Sequence, residues 1–250
     1  MTLWDAEELR MERLTSPEVG EALSRGFTTA VFACGAVEQH GPALAMSMDA
    51  SHGSSLALAV ARLLGDALVA PTVRVGCSEH HMAFPGTLTL RLETFRAVVT
   101  DYVTSLDHHG FTRVVILPTH GGNFKPLADL VPELNGAGSI QVEAFTDLFE
   151  TMAVWRTEAE AYGVAERVGG HADVAEASIL MSLHPERVRP DRAEPGRMGP
   201  LEPDMSARLF AEGMKAVSPN GVLGDPTGMD PELGRRLVEA LAERVVEGLG

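Results

Sequence analysis

The stretch RVVILPTHGGN, residues 113–123, decides how this chain is read. Its apolar run is almost continuous, which is the pattern of a strand. The run ends on His120, and Gly121, Gly122 and Asn123 then lead into a helical segment. In open α/β sheets, ligand sites gather outside the carboxyl ends of the strands, so His120 stands where such a site is expected. Gly121 and Gly122 let the backbone pass close to whatever His120 holds, with Asn123 at the cap of the next helix. A histidine that merely closes a strand, followed by a Gly-Gly-Asn turn as plain punctuation, is the structural alternative.

Working outward, strand-like runs alternate with helical periodicity. LETFRAVVTDYVTSLDHHG, 92–110, has apolar residues at Phe95, Val98, Val99, Tyr102, Val103 and Leu106 and stops at Gly110, the pattern of an amphipathic helix. TTAVFACGA at 28–36, ALVAPTVRVG at 67–76 and SIQVEAF at 139–145 read as strands, Pro71 suiting an edge or a bulge. Helices are predicted from Pro17 to Arg25, over SLALAVARLL at 55–64, from Asp173 to Leu183 and after Asp230 at the carboxyl end. The alternation predicts an α/β fold with a parallel or mixed sheet, in one domain spanning 1–250. Residues 185–230, rich in proline, read as an irregular segment that wraps the core, lines a site or reaches a neighbouring subunit.

Thirty-five acidic against twenty basic side chains give a net charge of −15, which disfavours nucleic acid and anionic membrane surfaces as partners. Two cysteines, Cys34 and Cys77, make no disulfide scaffold and no CxxC pair. The amino terminus, MTLWDAEELRMERL, is charged from its fifth residue, and no apolar run approaches the ~20 residues of a membrane span. A cytoplasmic protein is the expectation.

Ionisable residues interrupt the apolar segments at a few places. AVEQHGPALAMSMDASHG, 36–53, puts Glu38, His40, Asp49 and His52 within fifteen residues. Mixed carboxylate and imidazole donors at short spacing suit a divalent metal. Glu38 and His40, two apart in an extended segment, point the same way, and Asp49 lies at the far end of a Gly-Pro loop that can fold back. The bland reading is a solvated surface loop. GGHADVAEAS carries His171 and Glu176, and the apolar neighbours of Glu176 make its helical face look buried, where an unpaired carboxylate is costly. In CSEHHMAFPGTLTL, 77–90, His81 reads either as a substrate contact or as one of two exposed loop histidines.

GAVEQHG at 35–41 with MSMD at 46–49, FPGTLTL at 84–90, HGGN at 120–123 and HADVAEASILMSLHPERV at 171–188 together resemble the creatininase family. The resemblance implies a three-layer α/β/α sandwich with a mostly parallel sheet, a homo-oligomer, and a two-metal site that hydrolyses a non-peptide or terminal C–N amide bond. Carried over by motif, Glu38, His40 and His120 are ligands and Asp49 bridges two divalent ions, zinc with zinc, manganese or iron at the second position. Creatinine-hydrolysing members take a further carboxylate from the second position after this histidine. That position is Gly122 here, and Glu176 is the candidate replacement and also an expected catalytic residue. His171 matches a histidine assigned to proton transfer. His81, Gly121, Gly122 and Asn123 are the expected substrate contacts. The chain departs from the family at Ala43, Leu44 and Ala45, at His80 and His81, and at Pro118 and Thr119. The tryptophans that close over creatinine have no equivalent at 145–150 or 165–171, which argues against creatinine as substrate.

The leading expectation is a metal-dependent amidohydrolase acting on a formamide, a cyclic amide or a short peptide-like substrate. The competing one is a non-catalytic metal- or ligand-binding regulatory protein on the same fold. A flavodoxin-like nucleotide binder that uses Gly121, Gly122 and Asn123 as a phosphate cradle leaves Glu38, His40 and Asp49 unexplained.

Overall fold

The computed structural model describes residues 8–199, 201 and 203–249. The first half of the amino-terminal reading, residues 1–7, lies outside the described residues. Four strands, β1 (Thr29–Cys34), β2 (Ala67–Val69), β3 (Arg113–Pro118) and β4 (Gln141–Ala144), pair in the order β2-β1-β3-β4, each pair parallel. Successive side chains of a strand point to opposite faces, so the central pair β1 and β3 feeds two cores. Val31, Ala33, Val115 and Leu117 pack with α2 (Met48–Leu64), α5 (Leu148–Glu160), α6 (Val174–Leu183) and α9 (Pro231–Gly248). Ala30, Phe32, Cys34, Val114 and Ile116 pack with α1 (Ser16–Ser24), α3 (Leu92–His108) and α4 (Gly121–Ala137). The result is a three-layer α/β/α sandwich around a parallel sheet. Helix α6 is buried at every position from Val174 to Leu180, which explains why its sequence is apolar all round.

Four local readings are corrected. The helix expected over 55–64 begins at Met48, because DASHGS, whose small and polar residues look like a loop, is buried for most of its length. Asp49 therefore sits in the first turn of α2, not at the end of a loop. The strand expected over 67–76 ends at Val69, at the sheet edge, and only an isolated bridge between Cys34 and Val73 continues it past Pro71. Helix α4 is capped by His120, with Asn123 inside its first turn. The segment 185–230 is not wholly irregular: it holds α7 (Pro203–Glu212), α8 (Met214–Val217) and β6 (Leu223–Gly224), the last antiparallel to β5 (Val168–His171). Among the described residues, no helix is long and apolar enough to cross a membrane.

Candidate metal centre

The fold brings the ends of β1, β3 and β5 and the first turns of α2 and α6 to one place. A Cβ on Gly35 would lie 2.8 Å from the Ala50 Cα, so only glycine lets the exit of β1 rest on the start of α2. That contact sets Asp49 against the 38–40 segment. Between β5 and α6, Ala172 turns the chain with a φ of 54°, a left-handed conformation that a non-glycine residue adopts only when its surroundings impose it. They do: Glu176 accepts the Ala172 N–H at 2.5 Å, and Asp173 accepts from Ala175 and Glu176 with one oxygen and from Gly169 and Gly170 with the other.

Backbone carbonyls fix the tautomers of two histidines. His40 donates from Nδ1 to the Glu38 carbonyl at 3.1 Å, which leaves Nε2 facing Asp49 Oδ1 at 3.1 Å and Glu176 Oε2 at 3.5 Å. His120 donates from Nε2 to the Cys77 carbonyl at 3.0 Å, which leaves Nδ1 facing Glu38 Oε1 at 3.1 Å and Asp49 Oδ2 at 3.5 Å. A second-nitrogen bond of this kind is the usual support of a metal-ligating imidazole. Three sets of donors, each within 4.8 Å of one another and buried, result: Glu38, Asp49 and His120; His40, Asp49 and Glu176; and Glu38, His40 and His171. Glu38 Oε2 and Asp49 Oδ2 are buried without a hydrogen-bond donor. Buried carboxylate oxygens are normally satisfied, so two orphans between two oriented imidazoles fit divalent cations such as zinc, manganese or iron.

The electrostatics agree with that fit. Burial opposes a charge on His40, but the carboxylates of Asp49 and Glu176 outweigh it and raise its pKa to about 10. His120 is likewise held well above its ordinary value, burial being overcome by Glu38 and Asp49. Burial works against ionisation of Asp49, and His40 and His120 reverse it, holding the carboxyl below the usual range. For Glu176 burial wins, and its pKa rises to about 8. Carboxylates and imidazoles thus share protons that a cation can replace.

Gln39, which sequence reasoning missed, organises the other wall. Its side-chain amide donates to His81 Nδ1 at 2.9 Å and to the Gly221 carbonyl at 3.1 Å, while its oxygen accepts the Gly41 N–H. His81 is left with its Nε2 proton directed at Glu38 Oε1, 3.3 Å away. His171 donates from Nε2 to the Gln39 main-chain oxygen at 2.9 Å, so its Nδ1 lone pair faces Glu38 Oε1 and Glu176 Oε2, each at 3.9 Å. Burial and the neighbouring His40 hold His171 neutral, its pKa well below the ordinary value. Of the expected substrate contacts, His81 and Gly121 line the cavity over the cluster. Asn123 does not reach it: its amide holds the Cys34 and Gly35 carbonyls and the Cys77 N–H. Gly122 is a packing position, since a Cβ there would collide with the Cys77 carbonyl and crowd His120. An aromatic wall does exist, from a residue outside the matched segments: Trp155, on α5, lines the cavity with Phe124 and Phe210.

The creatininase family model, described as creatinine amidohydrolase, matches residues 12–249. A mycofactocin precursor peptide peptidase from Mycobacterium ulcerans (strain Agy99) is 32% identical over 220 residues, covering 85% of this chain and 80% of that protein. A creatinine amidohydrolase from Pseudomonas putida is 28% identical over 192 residues, 72% of this chain and 73% of that one. Among solved structures, one named "Creatininase Mn" matches with a TM-score of 0.75 at 24% identity, over 96% of each chain. A mutant creatininase of Zn-Zn type matches with a TM-score of 0.72 at 24% identity, over 97% of this chain and 98% of that one. These two likenesses show a shared fold.

Proposed function

Because this chain belongs to the creatininase family, we propose that it is a dinuclear metal-dependent amidohydrolase that cuts a terminal amide bond of a short peptide-like substrate. The observation that carries this reading is Asp49, whose two oxygens face two different imidazole nitrogens, Oδ1 toward His40 and Oδ2 toward His120. In this reading Glu38, Asp49 and His120 would hold one ion and His40, Asp49 and Glu176 the other, zinc with zinc, manganese or iron, with Asp49 common to both sets. Glu176 supplies the carboxylate that Gly122 cannot.

Bound divalent ions supply Lewis acidity and a water that is nucleophilic near neutral pH. The protein's own part is proton handling and orientation. His171 is neutral and offers Nδ1, so it takes up the proton of the attacking water there and passes it to the leaving nitrogen, whose expulsion as an anion is the difficult step. Gln39 keeps this geometry by anchoring His171 and His81 together. Support for a peptide-like substrate comes from a groove of about 950 Å³ that runs on from the cavity through Phe124, Leu148 and Phe210 to the exposed Leu92 and Phe149. A relative named as a precursor peptide peptidase points the same way.

Metal analysis of the purified protein tests the reading, followed by a screen of formamides, cyclic ureides and blocked short peptides. Wild type is expected to carry about two ions per chain and Glu176→Gln about one, since glutamine keeps the volume and removes the charge. A wild type that takes up no divalent ion would overturn the proposal. Two ions retained at unchanged affinity by Glu176→Gln would remove Glu176 from the ligand set.

A further inference from the structure

Two polar side chains in the same cavity are left over by this mechanism. His52, from the second turn of α2, and Trp155, from α5, have ring centroids 5.5 Å apart. They are 1% and 6% exposed, and His52 Nδ1, His52 Nε2 and Trp155 Nε1 have no hydrogen-bond partner. Both residues line the cavity that also holds Glu38, Asp49 and His171. His52 nonetheless belongs to none of the three donor sets of the metal cluster. Each unmet buried group carries a desolvation cost, and leucine or phenylalanine would fill the same space without it. Three such atoms beside one reaction centre are accounted for by a ligand that brings their partners.

We propose that His52 and Trp155 form a recognition subsite for an uncharged carboxamide group of the substrate, next to the bond that is cut. The inference rests on reading the neighbouring cluster as a hydrolytic centre. An indole N–H can only donate, whereas a neutral imidazole offers one donor and one acceptor. Burial brings the His52 pKa down to about 4, so the ring is uncharged at neutral pH. A carboxamide carries both an accepting oxygen and a donating N–H. A carboxylate would give the imidazole lone pair no donor and would find no charge on either His52 or Trp155, and an ammonium would give Trp155 no acceptor. The cavity proper holds about 60 Å³, which is room for such a group. A peptide-like substrate provides a carboxamide at its next peptide bond.

Acetamide and acetate are the probes, titrated into the metal-loaded, full-length protein. The chain has two tryptophans, so Trp4→Phe leaves Trp155 as the single reporter of indole emission. Acetamide is expected to shift the emission saturably, while any acetate held by the metal ions is expected to bind equally well to His52→Leu. His52→Leu should weaken acetamide about tenfold, as the loss of one buried hydrogen bond does. Trp155→Phe, read by calorimetry, should weaken it similarly, and decides the matter if His52→Leu does not fold. In chelator-treated protein His52→Leu should raise the Tm, because it removes unmet polar atoms; a lowered Tm counts against the subsite. Unchanged acetamide affinity in both variants, or an acetate affinity that falls as far as that of acetamide in both, overturns the proposal. Loss of amide binding in these variants with no metal ever bound would instead retain the subsite and remove the hydrolytic reading.

Discussion

His171 shows how a single hydrogen bond sets a chemical role. With Nε2 committed to the Gln39 carbonyl, only Nδ1 is free, and a depressed pKa means that it starts without a proton there. A group in that state can deliver a proton only after receiving one. His171→Ala is therefore expected to keep its metal content while kcat falls by roughly 10²–10⁴-fold, the usual worth of positioned proton transfer. The loss should shrink on an activated ester or anilide, whose leaving group needs little help. Equal losses on both substrates would mean that His171 positions substrate instead. Of the residues around it, those with charge were legible in the sequence, because Glu38, His40, Asp49, His120, His171 and Glu176 each interrupt an apolar or buried stretch. Gln39 was not: a neutral amide between two ionisable neighbours has no pattern of its own until its partners, 42 and 182 positions away, are in view. Asn123 misled for a related reason. Its place after His120 suggested a ligand contact, whereas its amide ties the exit of β1 to the loop at Cys77.

At the scale of elements, the join between β1 and α2 is the most constrained. Its Gly35 admits no side chain, with the Ala50 and Asp49 backbone 2.8 Å from where a Cβ would stand. Gly35→Ala should push α2 outward, moving Asp49 away from His40 and His120. Overpacking of this kind costs about 1–3 kcal/mol, so a lower Tm is expected together with weakened metal binding. A thermal melt and a metal titration check both, and a destabilised variant with wild-type metal affinity would show that Asp49 is positioned by something else. The elements that could be read in advance are those with a clean period: β3 by its apolar run, α3 and α9 by one-sided stripes. The start of α2 could not, since Asp49, Ser51, His52, Gly53 and Ser54 lack apolar bulk, and what holds them is burial against other segments. Helix α5 escaped notice because its buried residues, Thr151, Met152, Trp155 and Ala159, are chemically dissimilar.

For the molecule as a whole, the cluster makes stability depend on pH in a way that metal should reverse. Without metal, His40 titrates at about 10 against an ordinary 6.5, and Glu176 at about 8 against 4.5. Both bind a proton more tightly when folded, so their contribution is complete below the unfolded values and is lost as pH rises through about 8 and then about 10. His171 and His81 are shifted the other way, mainly by burial, and lose theirs as pH falls below about 6.5. The Tm of chelator-treated protein is therefore expected to fall between about pH 7 and pH 10, while that of metal-loaded protein does not, because cations have displaced the protons. Calorimetry in two buffers of different ionisation enthalpy should detect proton release on metal binding; a chelated protein whose Tm rises over that interval would contradict the assignment. The distances along the chain carry one more consequence. His40 and Glu176 are 136 positions apart (176 − 40), and Cys34 and Cys77 are both free thiols. An unfolded chain would have to close a loop of that length to offer both donors to one ion, so the ion holds the native form more tightly than the unfolded one and shifts the balance by mass action, by at most ~2.7 kcal/mol at a hundred times its Kd. Scarcity of metal would then do more than silence the protein. It would raise the fraction of chains open to proteolysis, and the supply of metal would set how long each copy lasts.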